Sequence, residues 1–381
     1  MRGRVSPQRG VWMLVIDPED LLDSKHPLRS VKVRADGVLA AMDAEFEQAY
    51  AALGRPSIPP EMLLKALLLQ ALYSIRSEEQ LMEQIGVNLM YRWFLDLPPE
   101  QEEWDPTVFT RMRERFESQG LLRSFFDRIV EGAYLEGLAS EDHFSVDGTL
   151  IQSYASMKSL RPIDSADQKV SDGSEGDDAG NPTVNFRGEK RRNETHRSLT
   201  DPEAQLAKKA HGQASILAHS VHALMENRHG LLVDVSVAAA TGTAEREEAL
   251  ELLKRSRQRH RLKPKSLGAD GGYKAGDFLC ALEHDGMVAN VPIPAGTIKG
   301  DDPGAAARRR ARERMQSEGY ALSQRVRKRI EEIFGWAKEI GGMRRSRHAG
   351  RRKVGQNALI VGAAYNLLRL ARLAPCCAAT A

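Results

Sequence analysis

The sequence predicts an α/β protein in two parts: an all-helical first 140 residues, then alternating strands and helices interrupted by a long polar insertion. Three observations predict it. Apolar residues recur at helical spacing as far as Gly137, and from His143 onward short β-rich runs alternate with amphipathic helical segments. Residues Met157 to Lys209 look like an insertion, whose part around SADQKVSDGSEGDDAGNP is polar, glycine-rich and acidic, with nothing to build a core from. At 381 residues, 41% hydrophobic and 6% aromatic, it is long enough for one good core or two.

In the first part, Pro59 and Pro60 open EMLLKALLLQALYSI, apolar on most sides and therefore central to its domain. Ser77 and Gln80 form a capping box that starts SEEQLMEQIGVNLMYRWFLDL. The short turn from Ser74 to Ser77 suits a helix-turn-helix that reads DNA, and it suits a structural hairpin equally well. Asp105 or Thr107 caps TVFTRMRERFESQG, whose Arg111, Arg113 and Arg115 either reach phosphates or stay solvated. The amphipathic LLRSFFDRIVEGAYLEGL ends at Gly137.

In the second part, HFSVDGTLIQSYAS reads as two strand-like pieces with Asp147 and Gly148 at their join. An acid at the end of a buried strand is costly unless paired, and a plain turn aspartate is the alternative. The insertion around SADQKVSDGSEGDDAGNP is expected to be mobile and lacks the ligand spacing of an EF-hand. ASILAHSVHALMENRHGLLVDVSVAAA reads as a hairpin turning at Asn227 to Gly230. His219 and His222 are three apart and so face opposite sides of a strand, which argues against a histidine metal site.

EREEALELLKRSRQRH then reads as a helix, LKPKSLGADGGY as a strand stopping at Asp270, and AGDFLCALEHDG as a helix. MVANVPIP is a strand that Pro292 and Pro294 confine to an edge or its end. Ala295 to Gly319, with Arg308, Arg309, Arg310, Arg312 and Arg314, is either a basic loop or a helix that forms on a polyanion. A helix follows from about Ser323 to Gly341, with Val326, Ile330, Ile333, Phe334, Ala337 and Ile340 on one stripe. On the neighbouring stripe Arg327, Glu331 and Lys338 set a carboxylate between two cations above Gly335. That stripe is either a solvated ion-pair face or an approach for a phosphate-bearing substrate. The last helix, VGQNALIVGAAYNLLRLARLA, has an apolar face suited to packing on the sheet.

Charge and cysteine usage narrow the class. The 55 Lys+Arg against 52 Asp+Glu hide an asymmetry, since Lys299 to Lys353 carries 17 Lys/Arg and 7 Asp/Glu, a bias that suits a polyanion partner. Cys280, Cys376 and Cys377 form no CxxC pair, so neither a zinc site nor a disulfide framework is expected, and a reducing cytoplasm fits. The longest apolar run, Met62 to Tyr73, is broken by Lys65 and Gln70 and is too short to span a bilayer. VWMLVI is followed at once by Asp17, Pro18, Glu19 and Asp20, unlike a signal peptide, so a soluble protein with no membrane partner is expected. Combined, two strands ending at Asp147 and Asp270, faced by a helix bearing Glu331, make an oxygen-only pocket for hard divalent cations. Two such ions about 4 Å apart serve phosphodiester chemistry.

SVDGTLIQ, NETHRSLTDPEA, GADGGY and SQRVRKRIEEIFGWAKEIGGMRRSRH together resemble the DDE transposases of the IS-five-type bacterial insertion sequences. GRPSIPPEMLLKALLLQALYSIRSEEQLMEQI and WDPTVF resemble the N-terminal domain of that group, and the likeness runs from about Pro27 to Leu373. The resemblance implies a helical DNA-binding domain over 1–140 and an RNase H-like mixed-sheet catalytic domain over 141–375, with the insertion at about 157–209. It implies two Asp and one Glu holding Mg²⁺ or Mn²⁺, here Asp147, Asp270 and Glu331. The family signature Tyr-x2-Arg-x3-Glu-x6-Lys is met by Arg327, Glu331 and Lys338, which selects Glu331 over Glu332. Gln324 stands in place of its tyrosine, and NVPIPAGTIKGDDPGAAARRR resembles the family less well.

The activity implied is cutting and joining of double-stranded DNA at terminal inverted repeats and into target DNA, without a covalent protein intermediate. Arg327 and Lys338 would hold phosphates near the cut, and Arg344, Arg345, Arg347, Arg351, Arg352 and Lys353 would grip the backbone. A homodimer or larger assembly on DNA, in the bacterial cytoplasm at the nucleoid, is expected. The alternatives are a catalytically silent, transposase-derived DNA-binding protein and an RNase H-like nuclease that only hydrolyses.

Overall fold

Among the described residues, the helical periodicity of the first part is realised in seven α-helices. In the computed structural model, which describes residues 18–50, 57–98, 100–163, 191–208, 213–241 and 244–374, they are α1 (Pro27–Ala40), α2 (Asp43–Ala49), α3 (Pro60–Leu72), α4 (Glu78–Val87), α5 (Leu89–Leu95), α6 (Val108–Ser118) and α7 (Leu121–Leu135). As its composition demands, α3 is buried from Leu63 to Ala71, and its one cation, Lys65, is neutralised by Asp36 at 2.9 Å and by Asp96. The segment expected to run unbroken from Ser77 divides at Asn88, whose side chain accepts from the Met90 N–H at 3.0 Å and caps a new helix. At the start of α6 the Asp105 carboxylate accepts from the Thr107 N–H at 2.8 Å, so Asp105 organises the turn.

The second part comprises β1 (Phe144–Gln152), β2 (Leu160–Pro162), β3 (His196–Ser198), β4 (Gln205–Ala207), β5 (Ile216–Glu226), β6 (Leu231–Ala239), α8 (Ala244–His260), β7 (Ser266–Gly268), α9 (Gly276–His284), β8 (Val288–Asn290), α10 (Pro303–Arg314), α11 (Glu318–Arg327), α12 (Arg329–Glu339) and α13 (Arg351–Leu373). β6, β5 and β1 pair antiparallel, and β7 and β8 follow parallel to β1, with β8 at the edge and ending before Pro292 and Pro294. This antiparallel-then-parallel order, with α8 and α9 as the crossovers, is the RNase H-like arrangement expected of the sequence.

Three expectations are corrected. β1 is one strand, not two pieces, and pairs without interruption from Phe144↔Glu226 to Gln152↔Ala218. Gly148 keeps the strand continuous, because a Cβ there would lie 2.9 Å from the ring of His222 directly opposite. The helix drawn from Ser323 to Gly341 parts at Lys328 into α11 and α12. The flanks of the insertion are built rather than loose: β2 pairs β3, β4 extends the sheet beside β5, and buried Asp201 accepts from the Ser153 hydroxyl at 2.6 Å and pairs with His219 at 2.8 Å. The expectation of mobility otherwise falls on residues 164–190, outside the described residues, as do Cys376 and Cys377.

α13 ties the halves together. It packs on β6, where the Asn366 side chain bonds both the N–H and the C=O of Leu232, and on α7, α1 and α3. One apolar core therefore runs from the N-terminal helices through α13 to the sheet. Among the described residues, no helix is long and apolar enough to cross a membrane.

Candidate active site

Asp147 sits in the middle of β1, and Asp270 two residues past the end of β7. The adjacent parallel strands β1 and β7 bring them together. Asp270 is fixed by an Asx turn, its carboxylate accepting from the Gly272 N–H at 2.8 Å. Asp147 accepts from the Gly148 N–H at 2.8 Å. Its carboxyl is pushed up to about 6, first by burial and then by the charge of Asp270, with Glu245 adding to it and Arg327 opposing.

β1 is approached from both faces. On one, Arg327 at the end of α11 lies 3.5 Å from Asp147, and Lys338 on α12 donates to the Thr149 hydroxyl at 2.5 Å. The cation stripe read from the sequence therefore does face the strand carrying the first aspartate. On the other face stands Glu245, in the first turn of α8, which the sequence reading passed over. Its Cγ would be 3.4 Å from a Cβ on Gly148, and a Cβ on Gly272 would meet Asp270 Oδ1 at 3.0 Å and Glu245 Oε2 at 3.4 Å. Burial, followed by Asp270, raises the Glu245 pKa. An acid in the first turn of a helix is so ordinary that no sequence signal marked it.

Two further groups escaped the sequence reading. The Tyr273 hydroxyl is buried without a hydrogen-bond partner, and its pKa is raised by burial and then by Asp147, Glu245 and Asp270. Both ring nitrogens of fully buried His222 also lack partners, and burial pushes this histidine down to about 4, so it is neutral at pH 7. The oxygens here are the donor type a hard divalent cation takes, with like charge and an unsatisfied hydroxyl beside them, but the described acids are not gathered closely enough to hold one in this arrangement. Glu331 is exposed in the first turn of α12 and is not brought into a group with the aspartates. Among the described residues, no three His, Cys, Asp or Glu stand close enough to hold a metal ion. Glu332 points elsewhere, 3.8 Å from Arg369.

The signature's neighbours are mostly structural. Gln324, where the family signature has tyrosine, donates to the carbonyl of Asn290 at 2.8 Å and so pins α11 to the end of β8. In the basic run, Arg344 pairs with Glu339, Arg351 with Glu203 at 2.8 Å and Arg352 with Glu117 at 2.8 Å. Arg345 donates to the Tyr154 carbonyl at 3.0 Å. Arg347 is turned inward onto the carbonyls of Ile75 and Arg76 at 3.1 and 2.8 Å. Lys353 remains exposed. In the N-terminal part, the exposed face of α4 presents Glu79 and Glu83, Arg113 pairs with Glu78, and Arg115 lies 4.2 Å from the Tyr50 ring centroid.

The profile of a family described as "Transposase DDE domain" matches residues 141–367, and one described as "Transposase domain (DUF772)" matches residues 16–115. No curated protein matches. A solved chain titled "Mos1 transposase paired-end complex with left transposon end" is matched at 12% identity over 75% of this chain and 85% of that one, with a TM-score of 0.20, too low to carry an argument.

Proposed function

The chain belongs to the DDE transposases, and on that premise we propose that Asp147, Asp270 and Glu331 hold the divalent cations with which it cuts and joins DNA. The observation that carries this is the Asp147–Asp270 pair: two carboxylates brought together by adjacent parallel strands, one of them half-buried with its pKa raised first by burial and then by the charge of the other. Like charges held together in a poorly solvated place are stabilised by a cation. Mg²⁺ is the proposed ion, with Mn²⁺ as a substitute, because all the donors are oxygen. When bound, such ions supply activation of the attacking oxygen and stabilisation of the leaving 3′-oxygen.

The chain's own residues do the positioning. Arg327 balances Asp147 in this structure. Its guanidinium would also be placed to bind a phosphate oxygen beside the cut. Lys338, anchored at Thr149, supplies a second positive charge on the same face. Tyr273, with no partner of its own, has a hydroxyl to offer to a carboxylate or a phosphate. Glu331, exposed at the start of α12, is included as the third ligand on the strength of the signature spacing.

Double-stranded DNA is the substrate of this reading, with the ends of a mobile element and a target as its two forms. Joining two ends requires at least two copies of the active site, so a dimer or larger assembly on DNA follows. IS-five-type membership rests on the signature residues Arg327, Glu331 and Lys338. The test is product analysis with a labelled duplex carrying the element's end. Strand transfer into a target supports the transposase, cleavage alone a hydrolytic nuclease, and binding without cleavage a silent DNA-binding protein.

A further inference from the structure

The basic stretch between Ala295 and Gly319, which the signature leaves unexplained, forms one wall of a cleft of about 600 Å³ beside the site. Its floor is the Gly272–Ala275 turn that follows Asp270, and no Asp or Glu lines it. Lys274, Lys299 and Arg308 line it and are exposed, and none makes an ion pair or a side-chain hydrogen bond with a described residue. Arg246 stands at the end nearest Glu245.

The walls are fixed. Asp302 caps α10 by accepting from the Ala305 N–H at 3.0 Å. α10 crosses α9 so closely that a Cβ on Gly276 would lie 2.6 Å from the Gly304 Cα. Arg310 and Arg314 pair with Glu283 on α9, at 2.6 and 3.2 Å. Arg312 donates to the carbonyls of Gly296 and Pro294, both at 2.7 Å, and so shapes the facing loop. These partnered arginines hold the frame, and what remains is a hollow in which Lys274, Lys299 and Arg308 have no ion-pair partner among the described residues. Gathering like charges in a concave surface is unfavourable unless an anion shares it.

We infer that this cleft takes the phosphodiester backbone of a DNA strand leading away from the carboxylate centre, with Lys274, Lys299 and Arg308 as its phosphate contacts. The inference rests on the transposase reading. A phosphodiester chain is favoured over a small anion because the cations come from three separate pieces of chain, the turn after Asp270, the loop before α10 and α10 itself. Two DNA segments have this chemistry: the donor flank beyond the element's end, and the target.

The test compares the full-length chain with a Lys274→Gln, Lys299→Gln, Arg308→Gln variant by fluorescence anisotropy over a salt series. Three labelled duplexes serve as probes: an element end with its flank, the same end cut flush, and an unrelated sequence. Each lost phosphate contact lowers the slope of log affinity against log salt by about 0.9, so a fall of about 2 to 3 is expected. A fall confined to the flanked end assigns the donor flank, and one on the unrelated duplex assigns the target. An unchanged slope on all three, with wild-type melting temperature, overturns the inference. If the wild type itself binds no duplex in a salt-dependent way, the transposase reading fails first.

Discussion

Asp147 shows how the centre is set at the scale of one residue. Its folded pKa is raised to about 6 from an ordinary carboxylate value, so its ionisation opposes folding as pH rises through that window, and a cation offsets the cost. Substituting Asp270→Asn removes the second-largest upward influence after burial. We expect the Asp147 carboxyl then to titrate lower in carboxyl-carbon NMR, whereas an unmoved titration would mean that the two are not paired. Asp147 and Asp270 were legible in the sequence because each sits in a short glycine-bearing segment attached to a β-rich run. Glu245, Tyr273 and His222 were not, because their significance comes from what the fold sets opposite Gly148 and beside Gly272. Arg347 was misleading for the same reason: in a basic run it reads as a DNA contact, yet it binds carbonyls at the end of α3.

Among the elements, the division of one expected helix into α11 and α12 has the largest effect on the site. Apolar spacing continues straight across Lys328, so periodicity gave no sign of it. α11 docks through Gln324 on the strand ends, while α12 packs on α13. The i, i+4 relation assumed between Arg327 and Glu331 crosses that junction; Arg327 and Lys338 face β1, and Glu331 stays exposed. The close crossing of α9 and α10 supplies a stability test. Gly276→Ala drives a methyl against the Gly304 backbone, which cannot rotate away, and should cost about 1–3 kcal/mol and lower the melting temperature. An unchanged melt would show that the crossing is looser than described.

The loop between α12 and α13 carries a pH-dependent element. His348 is pushed down to about 4 by burial, then by Arg113 and Arg347, with Glu78 opposing. The folded state therefore disfavours its protonation. The stability this gives is full above the unfolded histidine value of about 6.5 and is lost as pH falls through 4, on the order of 3 kcal/mol in all. His348→Gln should flatten the acid limb of a stability–pH curve measured by urea melts. An identical limb in the variant would assign the acid sensitivity to other groups.

At the scale of the molecule, the shared core through α13 makes the N-terminal helices and the sheet one mechanical body. We expect a single cooperative unfolding transition, and two resolved transitions in calorimetry would contradict that. Composition and element order were enough to read the fold class, the hairpin, the edge strand and the docking of α13. Tertiary pairing was not readable, because pairs such as buried Lys65 with Asp36 and the buried Asp201–His219 pair join residues whose sequence neighbours carry no mark of them.

The central claim is that Asp147 and Asp270 form the metal-holding core of a strand-transferring enzyme. It is tested most directly by Mg²⁺-dependent cleavage and joining of a labelled element-end duplex by the wild type, Asp270→Asn and Glu331→Gln. The expected result is loss of both reactions in each variant, by about 100-fold or more, with duplex binding retained. Wild-type cleavage by Asp270→Asn would contradict the account.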